Sequence, residues 1–289
     1  MRFERAPSAE RKIESLAASS EEFGERRQNE GFPVQLLTGR IDMLDPAFRE
    51  LRGPWQSDRD ERGVQEKERL FKTSLLQVNG SDVEKRLRNE GEQFELITAL
   101  ILEKFLSRRF VVLRSSPHDD IQNGVDTVLL DKETGKIVCA FDEVGDDKAL
   151  LDEKEARSAR TNLIKGGISL DYGFRKDKNG KFVPASVENL PLFHLAISSK
   201  DLREMEGCDL NADPTHREKI FFRDFLKIMM GQAAALQDAI LEQMKGGGAA
   251  LRGERSLVLW EIKERAENFE KTLEEVGDKE FGLSEPGRI

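Results

Sequence analysis

Two apolar runs, Val125-Asp126-Thr127-Val128-Leu129-Leu130 and Ile137-Val138-Cys139-Ala140-Phe141, flank the hydrophilic stretch Asp131-Lys132-Glu133-Thr134-Gly135-Lys136. Two short apolar runs around a turn with glycine near its end predict a β-hairpin. Acids stand at its open end, with Asp126 near the start of the first strand and Asp142-Glu143 directly after the second. Antiparallel pairing sets such positions opposite each other at a ladder spacing of about 5 Å. Like charges placed there destabilise a sheet, so the hairpin end needs a cation, a proton or open water. A one-residue change of register exchanges the two faces, and whether Asp142 or Glu143 meets Asp126 stays open.

Charge is distributed to the same effect. The 289 residues carry a net charge of −9, yet Ser115 to Glu155 alone holds twelve acids against four lysines, −8 in 41 residues. The rest of the chain is close to neutral, so the acidity belongs to one segment. An acidic chain does not coat nucleic acid by bulk attraction. Hard carboxylate oxygens at hairpin spacing suit Mg2+ or Mn2+, which can position a water and stabilise charge on a phosphate. The competing expectation is that these acids are strand-end and loop residues in water.

Around the hairpin the periodicity predicts a mixed α/β fold. Ser81 with Glu84 forms a capping box, and Phe94, Ile97, Ile101 and Phe105 recur at helical spacing, predicting a helix from Ser81 to Arg108. Arg109 to Leu113 reads as a buried strand, and Ser115 to Gly124 as a loop. After the hairpin we expect a polar-faced helix over 147–164, ended at Gly166-Gly167, then strands at 168–174 and 190–197 with a loop between them. Helices are expected at 215–245 and 254–276, separated by a flexible hinge at Gly246-Gly247-Gly248. Before Glu66 the apolar anchors are few, and Gly31-Phe32-Pro33 and Gly53-Pro54-Trp55 punctuate the chain, which predicts short helices and loose loops.

Several chemistries lose support. The sequence has no G-x-x-x-x-G-K-[ST], no G-x-G-x-x-G and no H-E-x-x-H. His118, His194 and His216 are dispersed, and Cys139 and Cys208 lack zinc spacing, so Cys139 reads as a buried reduced thiol. No apolar stretch approaches the roughly 18 residues of a membrane span. The charged first residues precede no apolar segment, so we expect no secretory leader and a cytoplasmic protein.

A helix carrying Glu95 (or Glu92), a strand, then Gly124-Val125-Asp126, a hairpin and Asp142-Glu143-Val144 resembles the PD-(D/E)XK nuclease superfamily. The resemblance spans about Asp82 to Ile197 and implies a restriction-endonuclease-like αβββαβ core with a mixed sheet over 81–200. A helix-and-loop extension would occupy 1–80 and a helical region 201–289. Carried over position by position, Asp126 and Asp142 match metal ligands, Glu143 is the neighbouring acid, and Glu95 matches the helix acid that completes the site. The pattern's lysine is absent, since Val144 and Gly145 stand where it would fall. The resemblance implies a basic group from the following helix, with Lys154 as candidate and Lys148 behind it. On that helix Arg157 and Arg160 could meet a phosphate or pair with local acids.

The expected function is a Mg2+- or Mn2+-dependent nuclease hydrolysing nucleic acid, DNA first, through Asp126, Asp142, Glu143 and Lys154. The alternative is a catalytically inactive binding or scaffold module of the same fold. In that case the C-terminal helices, with Leu257, Trp260, Ala266, Phe269 and Leu273, offer surfaces for a protein partner or self-association.

Overall fold

A computed structural model describes residues 9–74, 89–145, 148–205, 208–246 and 253–282. The expected capping box at Ser81 and Glu84 and most of the glycine hinge lie outside these residues. The described helices and strands form a mixed α/β fold. In chain order they are α1 (Ala9–Asn29), α2 (Pro46–Arg52), α3 (Pro54–Ser74), α4 (Glu90–Leu106), β1 (Phe110–Arg114), α5 (Pro117–Asn123), β2 (Thr127–Asp131), β3 (Ile137–Gly145), α6 (Lys148–Arg160), β4 (Ile168–Lys176), β5 (Phe182–Leu190), β6 (Leu192–Ile197), α7 (Ser199–Met205), α8 (His216–Gly246) and α9 (Glu254–Phe281). A π-helical turn, Thr161–Lys165, extends α6 to Gly166.

The main sheet has the strand order β1-β2-β3-β6, antiparallel except for the parallel β3/β6 pair. The expected hairpin is β2–β3. At its turn the Asp131 carboxylate accepts the N–H groups of Glu133 and Thr134, at 2.7 and 3.1 Å, which folds the loop back on itself. Every residue of β1 and β2 is buried, because both faces of the sheet are covered. On one face Phe110, Val112, Leu129, Cys139, Phe141, Phe193 and Leu195 pack against α1, α4, α8 and α9. On the other, Val111, Leu113, Val128, Leu130 and Ala140 meet the N-terminal segment and the β4–β5 hairpin. That second core contains an aromatic group, with Phe32, Phe48, Tyr172, Phe174 and Phe182 at centroid separations of 4.8 to 5.3 Å.

Four expectations need correction. The N-terminal segment holds two helices of 21 residues rather than short ones. Their inward stripes contain polar residues, Leu16-Ser20-Phe23-Arg27 on α1 and Ser57-Asp60-Val64 on α3, which a search for apolar periodicity does not register. Ser115 to Gly124 is not all loop, because Ser116 caps α5, Pro117 begins it and Gly124 ends it in the left-handed region at φ 56°. The described part of the helix predicted from Ser81 starts at Glu90, where the Asn89 side chain accepts from Gly91 N. Finally, 182–190 is a strand, paired with β4 in a separate two-stranded sheet. Pro184 disguises it, and a two-stranded ribbon accommodates the missing N–H.

Both edges of the main sheet are covered. On the β1 side Ile41 N donates to Arg114 O at 3.1 Å, so the N-terminal segment touches the strand. On the β6 side two side-chain amides take the place of a neighbouring strand. Asn162 bonds both N and O of Leu192 (2.8 and 2.9 Å), and Gln232 bonds both N and O of His194 (3.0 and 2.7 Å). In α9, Ala266, Phe269 and Leu273 are buried against the sheet, so they offer no partner surface, whereas Leu257 and Trp260 are 71% and 52% exposed. Cys139 and Cys208 are buried free thiols. No helix among the described residues is long and apolar enough to cross a membrane.

Candidate metal centre

Asp126 stands one residue before β2, and the backbone holds it from three sides. Its N–H donates to Phe141 O at 2.8 Å, its carbonyl accepts from Ser115 N at 2.8 Å, and its Oδ2 accepts from Glu143 N at 2.7 Å. The carboxylate therefore lies over the end of β3. Glu95 comes to the same place from the second turn of α4, and Asp120 from the first turn of α5. Carboxylate oxygens of Glu95, Asp120 and Asp126 all lie within 4.8 Å of one another, a grouping that could hold a metal ion.

The register sets Asp126 opposite Asp142 and strand alternation puts the two acids of β3 on opposite faces, so Asp126 meets the Asp142 charge and the Glu143 N–H. Cys139 and Phe141 belong to the α4 face and Ala140 to the other, so Glu143 continues the α4 face and Asp142 the opposite one. Arg114 of β1 and Thr127 of β2 share the face of Glu143 by the same rule. Glu143 is 8% exposed and its buried carboxylate oxygens make no well-formed hydrogen bond, with the Thr127 hydroxyl and the Arg114 charge nearby as the groups that favour its ionised form. Asp142 is fully engaged on its side, with Lys154 Nζ on one oxygen at 2.5 Å and Arg157 Nη1 on the other at 2.6 Å. Arg157 also donates to Asn123 O, and a Cβ on Gly124 would run into its guanidinium, which keeps that position glycine on two counts.

Thus Asp126 and Glu95 lie together, with Asp120 within the same reach and the Glu143 N–H on Asp126. Asp142 and Lys154 form a separate pair, and Lys148 lies at the exposed start of α6, where it pairs with Asp152. Three residues of the centre were missed. Asp120 lay in a stretch read as loop, although Ser116-Pro117 followed by two acids is a helix-start signature. Arg114 is in phase with Val112 on β1 and so was predictable as a neighbour of α4. Arg40 arrives from the N-terminal segment, and no local pattern announces it.

Those two arginines set the electrostatics. Arg40 pairs with Glu95, and with Asp120 at 2.9 Å, and Arg114 pairs with Glu95 at 2.9 Å and Glu92 at 3.4 Å. Both guanidiniums are buried, and Arg114 Nη1 is further fixed by Thr38 O at 2.9 Å. Burial opposes the Arg40 charge, but Glu95, Glu92, Asp120 and Asp126 together raise its pKa. Among the described residues, the carboxylates of Glu95, Asp120, Asp126 and Glu143 gather around the Arg40 and Arg114 guanidiniums. Burial, then Glu95, Asp120 and Asp142, pushes the Asp126 carboxyl well above the usual range. Burial, then Asp126 and Glu95, does the same to Glu143. Burial also raises Glu95, against the pull of Arg40 and Arg114. Buried carboxylates that repel one another require protons or a cation, and an all-oxygen donor set is the chemistry of Mg2+, Mn2+ or Ca2+.

No family model, no curated protein and no solved structure matches this chain.

Proposed function

We propose that the protein is a divalent-metal-dependent phosphodiesterase acting on nucleic acid, DNA first, with a restriction-endonuclease-like core. The element order α4, β1, β2, β3, α6, β6 and the mixed sheet support the architecture, with the β4–β5 hairpin as an insertion. The observation that carries the activity is the convergence of Glu95, Asp120 and Asp126 beside Glu143, whose two buried oxygens make no well-formed hydrogen bond. Glu95, Asp120 and Asp126 would hold the ion, with Glu143 completing the set. A divalent cation bound there would neutralise a scissile phosphate and acidify a bound water. Arg40 and Arg114 orient Glu95 and Asp120 and keep part of the cluster balanced before loading. Lys154, held by Asp142, positions α6 against β3 in this reading and is not the base.

One observation favours the second reading, a binding module. Among the described residues, the basic groups nearest these acids, Arg40 and Arg114 at the cluster and Lys154 and Arg157 at Asp142, are each committed to a carboxylate. The test is cleavage of single-stranded, duplex and branched DNA and of RNA with Mg2+, Mn2+ or chelator, for the wild type and Asp126→Asn. The amide keeps an acceptor for Glu143 N–H while removing the charge, so the variant should fold. Metal-dependent cleavage lost in the variant is the expected result. A folded protein that binds Mn2+ but cleaves nothing would instead be a binding module.

A further inference from the structure

The way into the cluster is narrow, and one wall of it comes from α3. A cleft of about 220 Å³ reaches Asp120 and Arg40 and is lined by Pro117 and Ile121 of α5, Glu92 of α4, Thr38, and Lys67 and Glu68 of α3. The inward stripe of α3, Ser57, Asp60 and Val64, continues one turn later to Lys67 and Glu68, which is why this face of α3 overlooks the cluster. The stripe is anchored, since Asp60 accepts from Arg52 at 3.0 Å, Gln56 at 2.7 Å and the Tyr172 hydroxyl at 2.9 Å. Lys67 is exposed and makes no ion pair among the described residues, unlike the two buried arginines of the cluster.

Resting on the phosphodiesterase reading, we infer that the substrate enters as a single, unpaired strand and that Lys67 is the cation that meets its phosphate. The volume falls below the roughly 300–1,000 Å³ of sites that enclose a drug-sized ligand. It has room for a sugar-phosphate link, and protein stands on both sides of it. Asp126 is 7% exposed, and among the described residues the cleft lined by α3 and α5 leads a phosphate to Asp120 and Arg40 beside it. In a duplex the complementary strand would meet the α3 wall first. An unpaired strand bends into the cleft without the few kcal/mol that unstacking and unpairing demand. A free ammonium on the wall then offsets the repulsion between the incoming phosphate and the acidic segment.

The experiment compares initial rates with Mn2+ on one sequence as a single strand, as the single-stranded flap of a branched duplex, and as a blunt duplex. Wild type, Lys67→Ala and Lys67→Arg are measured side by side. The single strand and the flap should be cut at least about tenfold faster than the blunt duplex, because only the latter must unpair. Lys67→Ala should raise KM about tenfold with kcat nearly unchanged, and Lys67→Arg should restore it, the pattern of lost substrate binding rather than lost chemistry. Equal rates on blunt duplex, or a KM untouched in Lys67→Ala, overturn the inference and leave the phosphodiesterase standing. Absence of cleavage on all three substrates overturns both.

Discussion

Burial and the neighbouring acids Asp126 and Glu95 outweigh what Thr127 and Arg114 give the Glu143 carboxylate. The Glu143 backbone N–H holds Asp126, but its carboxylate is buried, without a well-formed hydrogen bond and close to two other acids. Glu143→Gln therefore removes a buried charge while keeping the volume, and the metal-free variant should be more stable than the wild type. About 1 kcal/mol or more is expected, a rise of roughly 2–4 °C in Tm per kcal/mol for a chain of this size. Saturating Mn2+ should stabilise the wild type by about 2.7 kcal/mol at a hundred times Kd and Glu143→Gln by much less. Differential scanning fluorimetry with and without Mn2+ checks both, and a lower metal-free Tm in the variant would show that the carboxylate is structural. At this scale the sequence was informative about Asp126, since a strand-end acid beside a hairpin has a local signature, whereas Glu95 was singled out only by the family resemblance. The sequence could not separate Asp142 from Glu143, because strand alternation assigns faces only after the register is known. Nor could it show that Asp142 is already neutralised by Lys154 and Arg157, which belong to another element.

Among the helices, α4 is where the sequence pattern and the structure diverge most usefully. Its apolar spacing predicts one buried stripe, yet Leu96 to Leu102 is buried throughout, because the helix lies between the sheet and α1, α7 and α8. Two ion pairs are buried in this packing, Arg27 of α1 with Glu103 and Lys104 with Glu218 of α8, both at 2.6 Å. Burial pushes the Glu218 carboxyl up, but Lys104 and the Thr215 N–H outweigh it and leave its pKa lowered. A lowered carboxyl stabilises the fold above the ordinary carboxylate range, and that stability disappears as pH falls through the lowered pKa. Lys104→Met leaves Glu218 buried without its cation and should cost about 3–5 kcal/mol at pH 7, while adding Glu218→Leu should recover most of the loss. In Lys104→Met the largest opposition to the effect of burial on Glu218 is gone and only the Thr215 N–H and Cys208 remain, so the carboxyl protonates earlier and the deficit against wild type should shrink as pH drops. Urea melts of the two variants at pH 7 and in mild acid test this, and a deficit independent of pH with no recovery in the double variant would contradict it. Elements with their own turn chemistry, β2–β3 and α9, were legible in sequence. Strand β5 was not, because its pairing lies with β4 rather than with the main sheet.

For the whole molecule, the N-terminal segment proves to be part of the core and not an arm. Leu16 and Phe23 enter the first core, and Phe32, Val34, Ile41, Met43 and Phe48 build much of the second. Gly24 lets the returning chain pass directly against α1, because a Cβ there would collide with the Leu36 carbonyl. Arg40 supplies a charge that the acidic cluster needs. A chain beginning at residue 89 should therefore lose cooperative unfolding as well as metal binding, with exposed apolar surface that binds dyes such as ANS. A sharp thermal transition and wild-type Mn2+ affinity in that truncated chain would return the segment to the role of an arm. By itself the sequence determined the hairpin, the acids at its open end and the helices with apolar stripes, because these depend on periods of two and 3.6 residues and on turn residues read locally. Only the tertiary structure decided which acids meet and which cations they meet, because those pairings join residues as far apart as Arg40 and Asp120 and depend on packing, to which no local pattern is sensitive.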